Sequence, residues 1–122
     1  MIEGIDHIDL TVADIEQSVA FYRNALGVED EVFGDGRRAL KIGSQKINLH
    51  TLGMETRNRA TIGSGDMCLL TLQPLESIVS RLETCSVKII EGPVARTGAQ
   101  GPMMSIYFND PDGNLVEVSR YD

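Results

Sequence analysis

Residues 4–28, GIDHIDLTVADIEQSVAFYRNALGV, change their hydrophobic period once, and that change decides the fold class. From residue 4 to 12 the chain alternates, with Ile8, Leu10 and Val12 on one face and His7, Asp9 and Thr11 on the other. Period-two alternation with β-branched residues is the pattern of a half-buried strand. Asp14 then stands where an N-cap belongs, and Gln17, three residues on, completes a capping box. Ile15, Val19, Tyr22 and Leu26 follow at helical spacing, one apolar stripe that Gly27 is placed to end.

Working outward, three strand-like segments follow at 28–33, 37–43 and 45–52, with GDG at 34–36 and GSQ at 43–45 as the turns between them. In the third, Ile47 and Leu49 face one way while Lys46, Asn48 and His50 face the other. Residues 53–65 are polar and contain glycine. The pattern then restarts: a strand at 66–73, a helix opened by Pro74 and carrying Leu75, Ile78, Val79 and Leu82, and a strand at 87–90. Residues 92–102 read as a Gly/Pro-rich loop, long enough to act as a lid. A closing hairpin has arms at 103–109 and 114–120 around the turn sequence DPDG at 110–113.

A βαβββ unit therefore occurs twice, with the two helices offset by 60 residues so that Ile15 overlies Leu75 and Val19 overlies Val79. Neither half can cover its sheet alone. The expected architecture is one α+β domain over 1–122, with modules of about 1–53 and 64–122 joined by a linker at 54–63. The modules are expected to share one long, curved mixed sheet, helices outside and a concave cup inside.

Composition narrows the partners. Apolar residues make up 42% of the 122, enough for a core, and no apolar run approaches the roughly 18 residues of a membrane span. No basic-then-apolar leader opens the chain. With 11 basic and 18 acidic residues the net charge is −7, which repels a phosphate backbone and argues against nucleic acid. Cys68 and Cys85 sit among apolar neighbours and read as reduced, buried residues of a cytoplasmic protein.

The alternation also gathers ligand-type side chains on the face opposite the apolar rows. These are His7, Asp9 and Thr11 on the first strand, Asn48 and His50 on the fourth, Ser105 and Tyr107 on the seventh, and Glu117 and Ser119 on the last. If that face lines the cup, both histidines and Glu117 converge on it. Two imidazoles and a carboxylate suit Zn, Ni, Fe or Mn, with positions left for substrate oxygens that the metal polarises. His7, His50 and Glu117 are thus the candidate metal ligands, with Glu117 the candidate catalytic carboxylate. Asp66 opens the fifth strand and enters the same cup if its register allows. The helix offset instead sets Met67 opposite His7, and one residue of slip exchanges the two faces. Arg37, Arg38 and Arg96 are either binders of an anionic substrate or solvated arms, and Met103 and Met104 read as packing residues. No phosphate loop, nucleophile elbow or dinucleotide fingerprint is present.

The stretch at 4–28 and the ending IYFNDPDGNLVEV at 106–118 resemble the two ends of the glyoxalase/bleomycin-resistance/extradiol-dioxygenase superfamily, the vicinal-oxygen-chelate fold. KINLH at 46–50 and GDMCLLT at 65–71 are similar to a short glyoxalase-like subgroup. The resemblance implies metal-ligand positions at His7 and Glu117 and a homodimer. It also implies a metal-dependent lyase, isomerase or dioxygenase acting on a small oxygen-rich substrate. A metal-free protein that sequesters a drug is the alternative the same fold allows, and antibiotic inactivation by thiol addition is a third. Two departures bear on the reaction. Members with glyoxalase I activity carry a Glu where this chain has Asn48, and many members carry a His where this chain has Asp66 or Met67.

Overall fold

Strand β1 (His7–Thr11) leads into helix α1 (Ile15–Leu26), then β2 (Glu29–Phe33), β3 (Arg37–Ile42) and β4 (Gln45–His50) in the computed structural model, which describes residues 1–122. The order recurs as β5 (Asp66–Leu70), α2 (Leu75–Thr84), β6 (Ile89–Gly98), β7 (Gly101–Asn109) and β8 (Leu115–Tyr121). The doubled βαβββ unit is present, and no strand or helix lies between His50 and Asp66.

Each unit closes its own four-stranded mixed sheet, in the orders β1-β4-β3-β2 and β5-β8-β7-β6. This corrects the expectation of a single continuous sheet. The reason lies in the helices. Their apolar stripes pack into one core drawn from both units, including Leu10, Tyr22 and Leu49 from the first and Leu82, Ile106 and Phe108 from the second. Phe21 on α1 reaches Phe108 on β7, ring centres 6.2 Å apart. The units are thus joined through their helical sides, and β1 and β5 remain unpaired edges of separate sheets.

Local chemistry sets the helix ends. The Asp14 carboxylate accepts the Gln17 amide hydrogen at 3.0 Å, and Gly27 at φ 67° returns its own amide to Arg23 and Tyr22. Helix α2 begins one residue later than its sequence suggests, with Pro74 as the cap (φ −55°, ψ 136°).

Residues 92–102 are not a free lid. Most of them belong to the β6–β7 hairpin, with Arg96 opposite Met103 and Gly98 opposite Gly101. The glycine and proline that suggest a loop are taken up by register shifts between Ile89 and Val94. Gly92 sits at φ 107°, and a β-carbon there would lie 2.4 Å from the Ser105 carbonyl oxygen. Gly92→Ala is expected to cost about 2–4 kcal/mol, combining left-handed strain with overpacking, and to lower the urea midpoint accordingly. An unchanged midpoint would show that the bulge relaxes freely.

Three burial expectations also change. Cys68 and Cys85 are both exposed rather than buried, because one lies on the open face of β5 and the other just past the last turn of α2. Met104 is 36% exposed although it shares parity with the buried Ile106 and Phe108; it borders an open pocket beside the start of α2, with Pro74, Leu75 and Glu76. Arg38 is no solvated arm: it faces the helix side and pairs with Glu16 and Asp30. Those two guanidinium partners, Arg23 and Arg38, hold the Asp30 carboxyl below the ordinary range.

Candidate functional site

Register places the ligand-type residues on defined faces. In the first sheet His7 lies opposite Lys46, Asp9 opposite Asn48 and Thr11 opposite His50, so all six project to the side away from α1. In the second sheet Cys68 is opposite Glu117 and Leu70 opposite Ser119, while Tyr107 flanks Glu117 from β7. Asp66, two residues before Cys68, shares the parity of Glu117; Met67 turns the other way and packs against the core. The uncertainty in register has a simple source. Three residues separate β1 from α1 and four separate β5 from α2, so the helices align at an offset of 60 while His7 corresponds to Asp66.

His7 is about half exposed, and its Nδ1 lies 2.8 Å from the Asp6 carboxylate. A carboxylate on one ring nitrogen fixes the tautomer and leaves Nε2 as a ligand, the arrangement found behind metal-bound imidazoles. A cleft of about 460 Å³ lies between the edge strands β1 and β5, with His7 and Cys68 on its walls.

Glu117 is held from two sides. Ser119 Oγ donates to its Oε2 at 3.2 Å. Ser105 Oγ, 2.6 Å away, and Cys68 Sγ, 3.1 Å away, both contact the Ser119 hydroxyl, which accepts from them once its own hydrogen is given to Glu117. Burial, and then the nearby Glu117 charge, push the Cys68 thiol up against the lowering effect of Ser119, so it stays a protonated donor. On the other side Arg96 Nε donates to Tyr107 Oη at 3.0 Å and Arg96 Nη2 to Glu91 at 3.0 Å. Burial first, then the neighbouring Glu117 carboxylate, raise the Tyr107 phenol, against the lowering effect of Arg96. Ser105 and Ser119 are fully buried, so Ser105 acts beneath Glu117 rather than on the cup surface.

The structure does not bring His50 to His7. Parallel pairing sets them four residues apart, roughly 13 Å along the strands at about 3.3 Å per residue. His50 instead has Nε2 at 3.2 Å from Asp9 and 3.1 Å from Arg37 Nη2. Asn48, opposite Asp9 in register, is 3% exposed, with its Oδ1 buried and free of any hydrogen-bond partner. Thr11 is buried beside them at 8%. Within one chain no three His, Cys, Asp or Glu side chains converge as a metal site. His7 and Glu117 thus present two half-sites, one per sheet. The place of Cys68 in the Glu117 network went unread in the sequence, where its apolar neighbours suggested burial. Its spacing of two from Asp66 was the available signal.

No helix is long and apolar enough to cross a membrane. The family model described as Glyoxalase/Bleomycin resistance protein/Dioxygenase superfamily matches residues 4–118. Virulence protein STM3117 of Salmonella typhimurium is 48% identical over 124 residues, covering 99% of this chain and 86% of that protein. The glyoxalase domain-containing protein RDO1 of Mycosarcoma maydis is 42% identical, covering 98% of this chain and 69% of its own length. Among solved structures, an integron cassette protein from the mobile metagenome of V. cholerae superposes with a TM-score of 0.95 at 49% identity. That match covers 100% of this chain and 98% of the other.

Proposed function

Since the chain belongs to the glyoxalase/bleomycin resistance protein/dioxygenase superfamily, we propose that it is a divalent-metal-dependent lyase, isomerase or dioxygenase acting on a small oxygen-rich molecule. The observation that carries this reading is the preparation of the two half-sites. His7 has its Nδ1 occupied by Asp6, and Glu117 is steadied by Ser119 and faced by Tyr107. A metal-free sequestering protein needs neither arrangement.

The donors fit a divalent ion when the cup is assembled from two copies. β1 and β5 are both unpaired edges, and Ile5, Ile8 and Leu70 are exposed on or beside them at 67%, 42% and 58%. An apolar, unpaired edge is a surface that a second strand satisfies. In a homodimer β1 of one copy lies beside β5 of the other, bringing His7 to Asp66 and Glu117 of the partner copy. Asp66 takes the third position because it shares the Glu117 face, whereas His50 is engaged by Asp9 and Arg37. An imidazole with two carboxylates suits Zn, Ni, Fe or Mn.

Bound there, the metal supplies Lewis acidity toward the substrate's oxygens. Glu117 would serve as ligand and as proton carrier, with Tyr107, held by Arg96, facing it from the next strand. The setting is cytoplasmic, in keeping with two unpaired cysteines.

Elemental analysis of purified, tag-free protein tests the reading. Near-stoichiometric Zn, Ni, Fe or Mn in the wild type, lost in His7→Ala and in Glu117→Ala, is the expected result. If no metal is retained and none binds on addition, the metalloenzyme reading fails and the sequestering alternative replaces it.

A further inference from the structure

The inner face of the first sheet carries two cations that the metal cup does not use. Most paired arginines of the chain have a carboxylate close by: Arg23 reaches Asp30 at 2.8 Å and Arg96 reaches Glu91 at 3.0 Å, with Arg38 and Arg57 also in direct contact with their partners. Arg37 and Lys46 differ. Their nearest carboxylates, Asp9 and Glu31, stand 3.8 and 3.7 Å away, beyond hydrogen-bond length. Both nevertheless gather on one aromatic ring, Arg37 Cζ at 4.7 Å and Lys46 Nζ at 3.4 Å from the centre of Phe33. Two like charges are thus held over one ring with loose counter-ions, in a chain of net charge −7. His50 closes the group through its 3.1 Å contact with Arg37.

Neither cation has a carboxylate at hydrogen-bond length, so both keep N–H groups to offer an anion. We infer that Arg37 and Lys46, seated on Phe33 with His50 beside them, form a subsite for a carboxylate carried by the substrate. The inference rests on the metal-cup reading for its setting, since the same face bears His7. His7 and His50 lie roughly 13 Å apart along the strands. Lys46 stands in register with His7 at the near end and Arg37 lies beside His50 at the far end, so a carboxylate in the Arg37 fork is a tail group, several bonds from the oxygens that meet the metal. Asp9 and Glu31 match the two positive charges one for one, at 3.8 and 3.7 Å, which favours a monoanion over a doubly charged phosphate or phosphonate. Arg37 presents the planar fork that a carboxylate accepts from two N–H groups.

The subsite can be read without metal or turnover. Metal-free wild-type protein is titrated with sodium butyrate, with neutral butyramide, and with inorganic phosphate at matched ionic strength, while side-chain resonances of Phe33 and His50 are followed by NMR. Butyrate is expected to shift both resonances saturably, and butyramide to leave them unmoved. Arg37→Gln and Lys46→Gln should each weaken butyrate at least about tenfold. Arg37→Lys should fall between, and thermal melts should show all three variants folded. Equal response to butyramide, undiminished binding in Arg37→Gln, or tighter binding of phosphate than of butyrate would each overturn the assignment. His7→Ala should keep butyrate binding while losing metal, so failure of the metal site and failure of the subsite give different results.

Discussion

Mixing His7→Ala protein with Glu117→Ala protein, under conditions that let subunits exchange, is expected to restore metal binding that neither variant has alone. Each substitution removes one ligand from every cup and should weaken the metal by more than about 100-fold, since losing even a supporting residue costs 10–100-fold. In a mixed dimer one cup combines both damaged halves. The other combines the intact His7 of one copy with the intact Glu117 of its partner. Random exchange makes about half of the dimers mixed, so about a quarter of the sites return. Metal content per chain after dialysis, or competition with a chromophoric chelator, reads this directly. If the cup formed within one chain, every chain in the mixture would still lack a ligand and nothing would return. The expectation follows from β1 and β5 being free edges of separate sheets, with Ile5, Ile8 and Leu70 exposed on or beside them. Restoration to about a quarter would identify the half-sites as belonging to different copies. Retained metal in either single variant would remove that residue from the ligand set.

The repeat was legible because it is written in periodicity. The alternation at His7–Thr11, the stripe from Ile15 to Leu26 and the cap pair Asp14 and Gly27 each have one low-energy solution. Inner-face parity was legible for the same reason, so His7, Asp9, Asn48, Tyr107 and Glu117 all fall where alternation puts them. What alternation cannot carry is distance along a strand. His7 and His50 share a face, yet parallel pairing of β1 with β4 separates them by four residues. Nor can it carry a one-residue difference between two loops, which is what left Asp66 and Met67 interchangeable until β5 was paired with β8. Residues 92–102 read as a loop in the sequence because glycine and proline report a break in regular structure without saying which kind. Here the break is a pair of register shifts inside a hairpin. The exposure of Cys68 illustrates a related limit: apolar sequence neighbours describe the opposite face of a strand.

Asp110→Ala is expected to unfold the protein at a temperature roughly 10–20 °C lower, the effect of about 3–5 kcal/mol on a chain of this size. Asp110 is 5% exposed and stands at the head of the DPDG turn. Its Oδ1 accepts the amide hydrogens of Asp112 and Asn114, at 2.9 and 3.0 Å. Its Oδ2 accepts from Asn114 Nδ2 at 2.9 Å and from the Tyr22 hydroxyl at 2.7 Å. The last bond crosses 88 residues and ties α1 of the first unit to the β7–β8 turn of the second. Tyr22 is fully buried, and burial together with the Asp110 charge raises its phenol, in keeping with a hydroxyl that donates to Asp110. Removing the carboxylate strands these donors in the interior, and an unmade buried hydrogen bond costs more than a made one contributes. Asn114 matters beyond the turn, because its Oδ1 accepts the Gly65 amide at 2.7 Å just before β5 begins. Loss of Asp110 therefore loosens the entry to the strand that carries Asp66 and Cys68. Tyr22→Phe, which removes one donor and leaves the turn bonds in place, should cost only about 1–2 kcal/mol. Thermal and urea melts of the two variants separate the contributions. A drop for Asp110→Ala no larger than that for Tyr22→Phe would show that the turn holds itself, with Asp110 serving only as the anchor for α1.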